Sequence, residues 1–186
     1  TFSYRYNGQM IPYLCYTELY HAPCLMQKPF LKQHFEQNLL DKSRAEIESC
    51  VDSAIENLKA KGYTLTSPVT KKQLNVSLEP QQIVVQIGPS ITMEKGSVEK
   101  FDFNSVKIAS PLYEMLMIST SILQFEGKYG DSDVSTMMQL YPNNIIDKLR
   151  DSDENKVYII PDKNSGTKFQ FVSRSYAWPS GYGMSI

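Results

Sequence analysis

Nothing in this sequence approaches the roughly 18–20 apolar residues in a row that a helix needs to cross a bilayer. Nor does a basic segment lead into an apolar run near the start, as in a secretory signal. A basic excess is missing too: Lys and Arg number 19 against 20 Asp and Glu, and the sequence pI is about 6.1. The longest basic cluster, Lys71-Lys72, is too short to neutralise a phosphate track, so nucleic acid is not expected as a partner. The patterns G-x-x-x-x-G-K-[ST], G-x-G-x-x-G and G-x-S-x-G do not occur, which removes the familiar phosphate cradles and the nucleophile elbow. Gly181-Tyr182-Gly183 has no helix after it to hold a phosphate. No cofactor is expected.

What is present fits a globular core. Hydrophobic residues make up 41% and charged residues 21% of 186 residues, enough for one ordinary hydrophobic interior. The chain begins at Thr1 without an initiator Met. It is expected either to be cytoplasmic or to follow a removed signal or anchor, and membrane contact is expected only through such an anchor. The single sequon, Asn75-Val76-Ser77, could accept a glycan on an exported chain.

Residues 1–28 are aromatic and irregular, which predicts an arm laid on the body, with a short strand near Tyr13 to Tyr16. Pro29 suits the first turn of a helix over residues 29–61 that stops at Gly62. Ile47, Val51, Ala54 and Leu58 share its apolar face. Leu74, Val76 and Leu78 then alternate with polar residues, the period of a strand with one wet face. The turn Glu79-Pro80-Gln81 leads to a returning strand at 83–87, with 91–93 as its continuation. Another strand covers 101–108. Ser110-Pro111 opens a second, more buried helix, with an inner stripe of Leu112, Met115, Leu116, Ser119, Ile122 and Leu123. A helical turn near 133–140 and strands at 144–150, 156–161 and 168–174 follow. The last two are joined by a Gly166-bearing hairpin loop. The tail 176–186 is expected to fold back as a clip. The reading is one α+β domain over 1–186: antiparallel sheet with two main helices, in the order helix, three or four strands, helix, three strands.

Three cysteines, Cys15, Cys24 and Cys50, allow one intrachain disulfide and leave one thiol over. Cys15–Cys24 would close a short loop around Pro23, and a bond from Cys50 to either of the others is the alternative, with three reduced thiols as the third possibility. Cys15, His21, Cys24 and His34 are a weak zinc candidate, since their spacing matches no tight knuckle pattern. The same cysteines with His21 or His34 would be the parts of a thiol enzyme. Ser97-Val98-Glu99-Lys100 has the Ser-x-x-Lys spacing without its companion motifs, and no catalytic residue is assigned. Asp151-Ser152-Asp153 reads as a solvated hairpin turn. The 12 tyrosines concentrate toward the ends, where Tyr13, Tyr16, Tyr20, Tyr176, Trp178 and Tyr182 are candidates for a partner interface or for clipping the termini to the core.

Three stretches carry a resemblance: Ile11-Pro12-Tyr13-Leu14-Cys15-Tyr16-Thr17, Gln27-Lys28-Pro29-Phe30-Leu31-Lys32-Gln33-His34, and Phe169-Gln170-Phe171-Val172-Ser173-Arg174-Ser175-Tyr176-Ala177-Trp178-Pro179. In these the chain resembles uncharacterised single-pass proteins of small-genome archaea, with an N-terminal apolar anchor and an extracytoplasmic domain. The resemblance implies a place outside the membrane, at the cell surface, in structure or adhesion. It transfers no functional residue. The expected function is thus a non-catalytic envelope domain that binds a protein partner or assembles with itself. The alternatives are a thiol enzyme or metal protein using the N-terminal Cys and His residues, and a small-ligand-binding module.

Overall fold

The computed structural model describes residues 2–65, 73–96 and 99–177. In chain order the elements are β1 (Ser3–Tyr6), β2 (Gln9–Tyr16), β3 (Leu25–Met26), α1 (Leu31–Ala60), β4 (Thr64–Leu65), β5 (Gln73–Glu79), β6 (Gln82–Lys95), β7 (Glu99–Ala109), α2 (Leu112–Tyr129), α3 (Val134–Leu140), β8 (Asp147–Arg150), β9 (Asn155–Pro161) and β10 (Lys168–Arg174). The class is α+β, as the sequence predicts. The expected order is corrected in two respects: three strands precede the first helix, and a third helix, α3, follows the second. The chain divides into two compact units, one of Thr1–Leu31 with Glu114–Ile186 and one of Lys32–Tyr113.

The unit of Lys32–Tyr113 is a helix on an antiparallel sheet. Strand β6 is central, with β5 and β4 on one side and β7 on the other. Leu74, Val76 and Leu78 point inward from β5, as their alternation requires. Leu74 and Val76 join Val85, Ile87 and Met93 beneath Leu40 and Val51 of α1, and Leu78 is buried as well. The inward stripe of α1 runs through the buried Val51 and the partly buried Ile47, Ile55 and Leu58, whereas Ala54, expected on that face, is exposed. Spacings of four, four and three keep the larger side chains over the sheet, and the methyl of Ala54 has less to gain from burial. Gly88-Pro89 falls within one continuous β6, where the β6–β7 register shifts between Gln86 and Ile91. An irregularity of that kind is where an interior strand can hold a proline that has no N–H to donate.

The other unit is built on a sheet ordered β1-β2-β10-β9-β8, with β3 beside β2. The aromatic arm is therefore part of the sheet. At Asn7 and Gly8, φ is 46° and 80°, the left-handed pair that a two-residue hairpin of matching twist demands. Strand β2 then pairs with β10 in parallel, an exception to the expected antiparallel pattern. On one face, Ile11, Tyr13, Val157 and Val172 form a cluster, with Tyr4, Tyr6, Tyr16 and Ile159 against it. Lys156, Tyr158 and Ile160 alternate to the opposite face of β9 and are buried there, and Tyr158 stacks on Phe171 at 5.1 Å. Helix α2 buries Met115, Leu116, Ile118, Ser119, Ile122, Leu123 and Glu126, so the predicted stripe is extended by a carboxylate. Residues 178–186, most of the expected clip, lie outside the described residues.

Gly130 turns the chain out of α2 at φ 76°, and a Cβ there would stand 1.9 Å from the carbonyl oxygen of Tyr176. Gly8 has a similar φ of 80° but open space around it. Gly8→Ala should therefore lose only the left-handed penalty of roughly 1–2 kcal/mol, while Gly130→Ala should lose clearly more because backbone has to move. Urea unfolding of the two variants side by side measures the difference.

Candidate functional site

Two places in the unit carrying both termini stand out chemically. The first is the loop between β2 and α1. Cys15, at the centre of β2's pairing with β3 and β10, is bonded to Cys24, with an S–S distance of 1.95 Å and Cα atoms 5.3 Å apart. Of the pairings the sequence leaves open, this is the one formed, and Cys50 remains a free, exposed thiol on α1. Backbone bonds fix the loop along its length. Cys24 N–H donates to Ser175 Oγ at 2.9 Å, Gln27 N–H to Leu14 O at 2.8 Å, and Tyr176 N–H to Ala22 O at 3.2 Å.

A loop so fixed would ordinarily turn its apolar side chains inward. Here Phe30 is 77% exposed, Tyr20 and Leu25 each 75%, and Leu19 and Met26 are exposed with them. His21 and Phe30 also hold φ at 59° and 55°, a region that bulky side chains rarely enter and that costs of order 1–3 kcal/mol. Beside the loop, the Arg174 guanidinium lies between the rings of Tyr16 and Tyr176, 5.8 and 5.5 Å from their centres. It donates to Thr17 O at 2.8 Å, to Asp153 O at 3.1 Å and to the Tyr176 hydroxyl at 2.9 Å. Each of its nitrogens is thus engaged, and the bond to Thr17 O ties the start of the loop to β10.

The interface candidates separate accordingly. Tyr20 is on the exposed loop, its ring 5.4 Å from that of the half-buried Tyr176. Tyr16 is half-buried, stacked on Phe2 at 5.2 Å. Tyr13 is a core residue whose hydroxyl donates to Asn155 Oδ1 at 2.7 Å, and burial pushes its pKa up to about 12, with Tyr16 adding to the shift. Trp178 and Tyr182 lie outside the described residues.

The Cys–His set does not assemble. The sulfurs of Cys15 and Cys24 are joined to each other, so neither offers a thiolate. His21 lies over Tyr176, ring centres 6.4 Å apart, and His34 belongs to the other unit, its Nε2 2.9 Å from Asn38 Nδ2. Among the described residues no three His, Cys, Asp or Glu side chains gather as a metal-holding group. Ser97 lies outside the described residues. Asp151 closes the β8–β9 turn, its carboxylate accepting from the N–H groups of Asp153 and Asn155, both at 2.9 Å.

The second place is a buried ionic network that the sequence reading missed. Glu126, at the end of α2, is 0% exposed and Lys156, on β9, is 1% exposed. One carboxylate oxygen of Glu126 accepts from the Tyr158 hydroxyl at 2.5 Å and from Ser132 N–H at 3.1 Å. The other accepts from Lys156 Nζ at 2.9 Å and from Ser173 Oγ at 2.8 Å. Lys156 Nζ also donates to Gly130 O at 2.5 Å and lies 3.2 Å from Asp131 Oδ1. Lys148 bonds that same Oδ1 at 2.5 Å. Burial, then the Glu126 charge, pushes the Tyr158 phenol well above its ordinary range, so it stays a donor. Burial alone would raise Asp131, but Lys148 and Lys156 outweigh it and hold its carboxyl below the usual range. A signal for this network exists in the sequence: Glu126 continues the spacing of Ser119, Ile122 and Leu123, and Lys156 alternates in step with Tyr158 and Ile160.

Removing one partner of a buried pair leaves the other uncompensated, at a cost of roughly 3–5 kcal/mol. Glu126→Gln and Lys156→Met should each destabilise by about that much, and the Glu126→Met/Lys156→Met double variant by less than the sum of its singles. Denaturant midpoints test this directly. The acid response follows from Asp131. Its pKa is lower folded than unfolded, so its contribution is present above the unfolded value of about 3.9 and is lost as pH falls through the folded value. Stability should fall as pH drops below about 4, and Asp131→Asn should be weaker at neutral pH with a shallower acid slope.

No family model matches the chain, and neither a curated protein nor a solved structure matches it.

Proposed function

We propose that the chain is a non-catalytic domain of the cell envelope, outside the membrane, that binds another protein or a copy of itself through the loop of residues 17–30. The observation that carries this is the set of five large apolar side chains, Leu19, Tyr20, Leu25, Met26 and Phe30, held in solvent by a loop that is tied down by a disulfide and by hydrogen bonds to its neighbours. Scattered exposed apolar residues need no explanation, but several on one short braced segment mark an interaction surface. The strained backbone at His21 and Phe30 supports the same reading, because strain persists where the surrounding structure over-determines it for use.

The same bond supports the proposed compartment. A disulfide is consistent with export, since such bonds persist in oxidising surroundings and are rare in the cytosol. No helix among the described residues is long and apolar enough to cross a membrane. The resemblance to anchored archaeal surface proteins points to the same location.

A photo-crosslinking side chain placed at Tyr20, Leu25 or Phe30 should yield one discrete protein adduct in intact cells, and the same probe at Lys163, on the β9–β10 turn, should yield none. Phe30→Ala should weaken the association at least about tenfold, or roughly 1.4 kcal/mol. Equal labelling at Lys163, or no adduct at any loop position, would count against the loop as the binding face.

A further inference from the structure

The buried network holds the components of a covalent cross-link. Lys156 presents a primary amine that is 1% exposed, and its nitrogen touches two carboxylates at once, Glu126 Oε2 at 2.9 Å and Asp131 Oδ1 at 3.2 Å. The two differ in surroundings. Glu126 has both oxygens saturated by donors and no exposure to water. Asp131 is 39% exposed at its side chain, with Lys148 on the oxygen that also faces Lys156. We propose that Lys156 and Asp131 join through an amide between Nζ and Cγ, with Glu126 carrying the proton, so that the mature unit has a side-chain isopeptide bond between β9 and the loop preceding α3.

The step balances without any outside reagent. An ammonium and a carboxylate become an amide and one water. Lys156 gives one proton to the Asp131 carboxyl, which carries it on Oδ2, and the neutral amine attacks Cγ. The carbon bearing Oδ1 is within about one bond length of the roughly 3–3.5 Å separation of a near-attack pair. As the N–C bond forms, the charge that develops on Oδ1 is met by the Lys148 ammonium already 2.5 Å away, an arrangement that stabilises such an oxyanion. A second proton passes from nitrogen to Glu126 Oε2 and on to the departing Oδ2, and the C–O bond breaks with loss of water toward the exposed side of Asp131. The amide nitrogen keeps one hydrogen, which still donates to Glu126.

Lys148 and Lys156 favour the charged form of Asp131, so the reactive, proton-transferred pair is a minority state and coupling is slow; the acid response of Asp131 belongs to the chain before coupling. A reaction that runs once per molecule tolerates that. The same groups in a merely ionic arrangement would look alike in contacts but not in mass.

The test is the intact mass of the folded, whole chain after prolonged incubation at neutral pH, followed by reduction, digestion and peptide mapping. The expected result is a species lighter by one water, with no tryptic cleavage after Lys156 and one branched peptide containing Lys156 and Asp131. Glu126→Gln should slow the loss by on the order of 10²–10⁴-fold. Lys156→Arg, which keeps the cation but offers no attacking amine, should retain the full mass. Full mass in the unmodified chain, with Lys156 and Asp131 in separate peptides, overturns the proposal and leaves a salt bridge. So does a water loss at the Asp131-Ser132 bond with Lys156 free, which would be a cyclic imide.

Discussion

A carboxylate withdrawn from water has to be met at both oxygens, and Glu126 is met by four donors from different parts of the chain. Ser132 N–H comes from the loop before α3, Lys156 and Tyr158 from β9, and Ser173 from β10. Each donor loses its solvation to reach the site, so none can be removed without leaving an unsatisfied group behind. One side chain at the end of α2 therefore sets the position of a loop and two strands at once. Replacing such an ion pair with apolar side chains of similar volume is often neutral or stabilising, so its contribution here is better described as specificity. It admits one register of α2 over the sheet, because sliding the helix by a residue would strand both charges.

That constraint reaches the exposed loop through a short chain of contacts. Ser175 Oγ donates to the backbone oxygen of Glu126 at 2.9 Å and accepts from Cys24 N–H at 2.9 Å. Cys24 is bonded to Cys15 on β2, and β2 pairs with β10, the strand that carries Ser173. Cys24 Sγ lies 3.6 Å from Ser173 Oγ, and Ser173 itself donates to Glu126. The buried charge and the surface loop thus share a wall of small polar side chains. Serines suit that wall because each both donates and accepts in little volume.

The sequence disclosed what depends on local period and hid what depends on distant partners. The inner stripe of α2, the alternation of β5 and the β9–β10 hairpin could all be read, because a buried face repeats with the period of its element. The β1–β2 hairpin was legible in principle, since Asn7-Gly8 is a strong two-residue turn signal, yet the proline and tyrosine content around it argued for an irregular arm. The parallel pairing of β2 with β10 had no local signature, joining as it does Tyr13 to Val172. The helix starting at Leu31 instead of Pro29 reflects the left-handed φ of Phe30, which ends one conformation before the other begins. Glu126 and Lys156 were overlooked because a lone acidic or basic residue is, on prior grounds, a surface residue. Only their place within an apolar period distinguishes them. The cysteines were undecidable at this level, because three thiols permit several pairings and spacing alone does not choose among them.

The loop of residues 17–30 makes sense only as part of this whole. Exposed Leu, Phe and Tyr side chains would be driven to fold back against the body if the backbone were free to move, since each gains roughly 1.5–3 kcal/mol on full burial. The disulfide and the backbone bonds from Cys24, Gln27 and Tyr176 remove that freedom, and the unfavourable φ values at His21 and Phe30 are held by the same restraint. A segment pre-fixed in an outward conformation loses little entropy when a partner covers it, which is where preorganised surfaces gain affinity. The ordering cost has already been met at the stage of folding, by an interior that cannot shift without exposing a buried lysine and glutamate. In this molecule the bonds that fix the surface loop thus run to Ser175 and Ser173, the same serines that bond Glu126 of the charge pair.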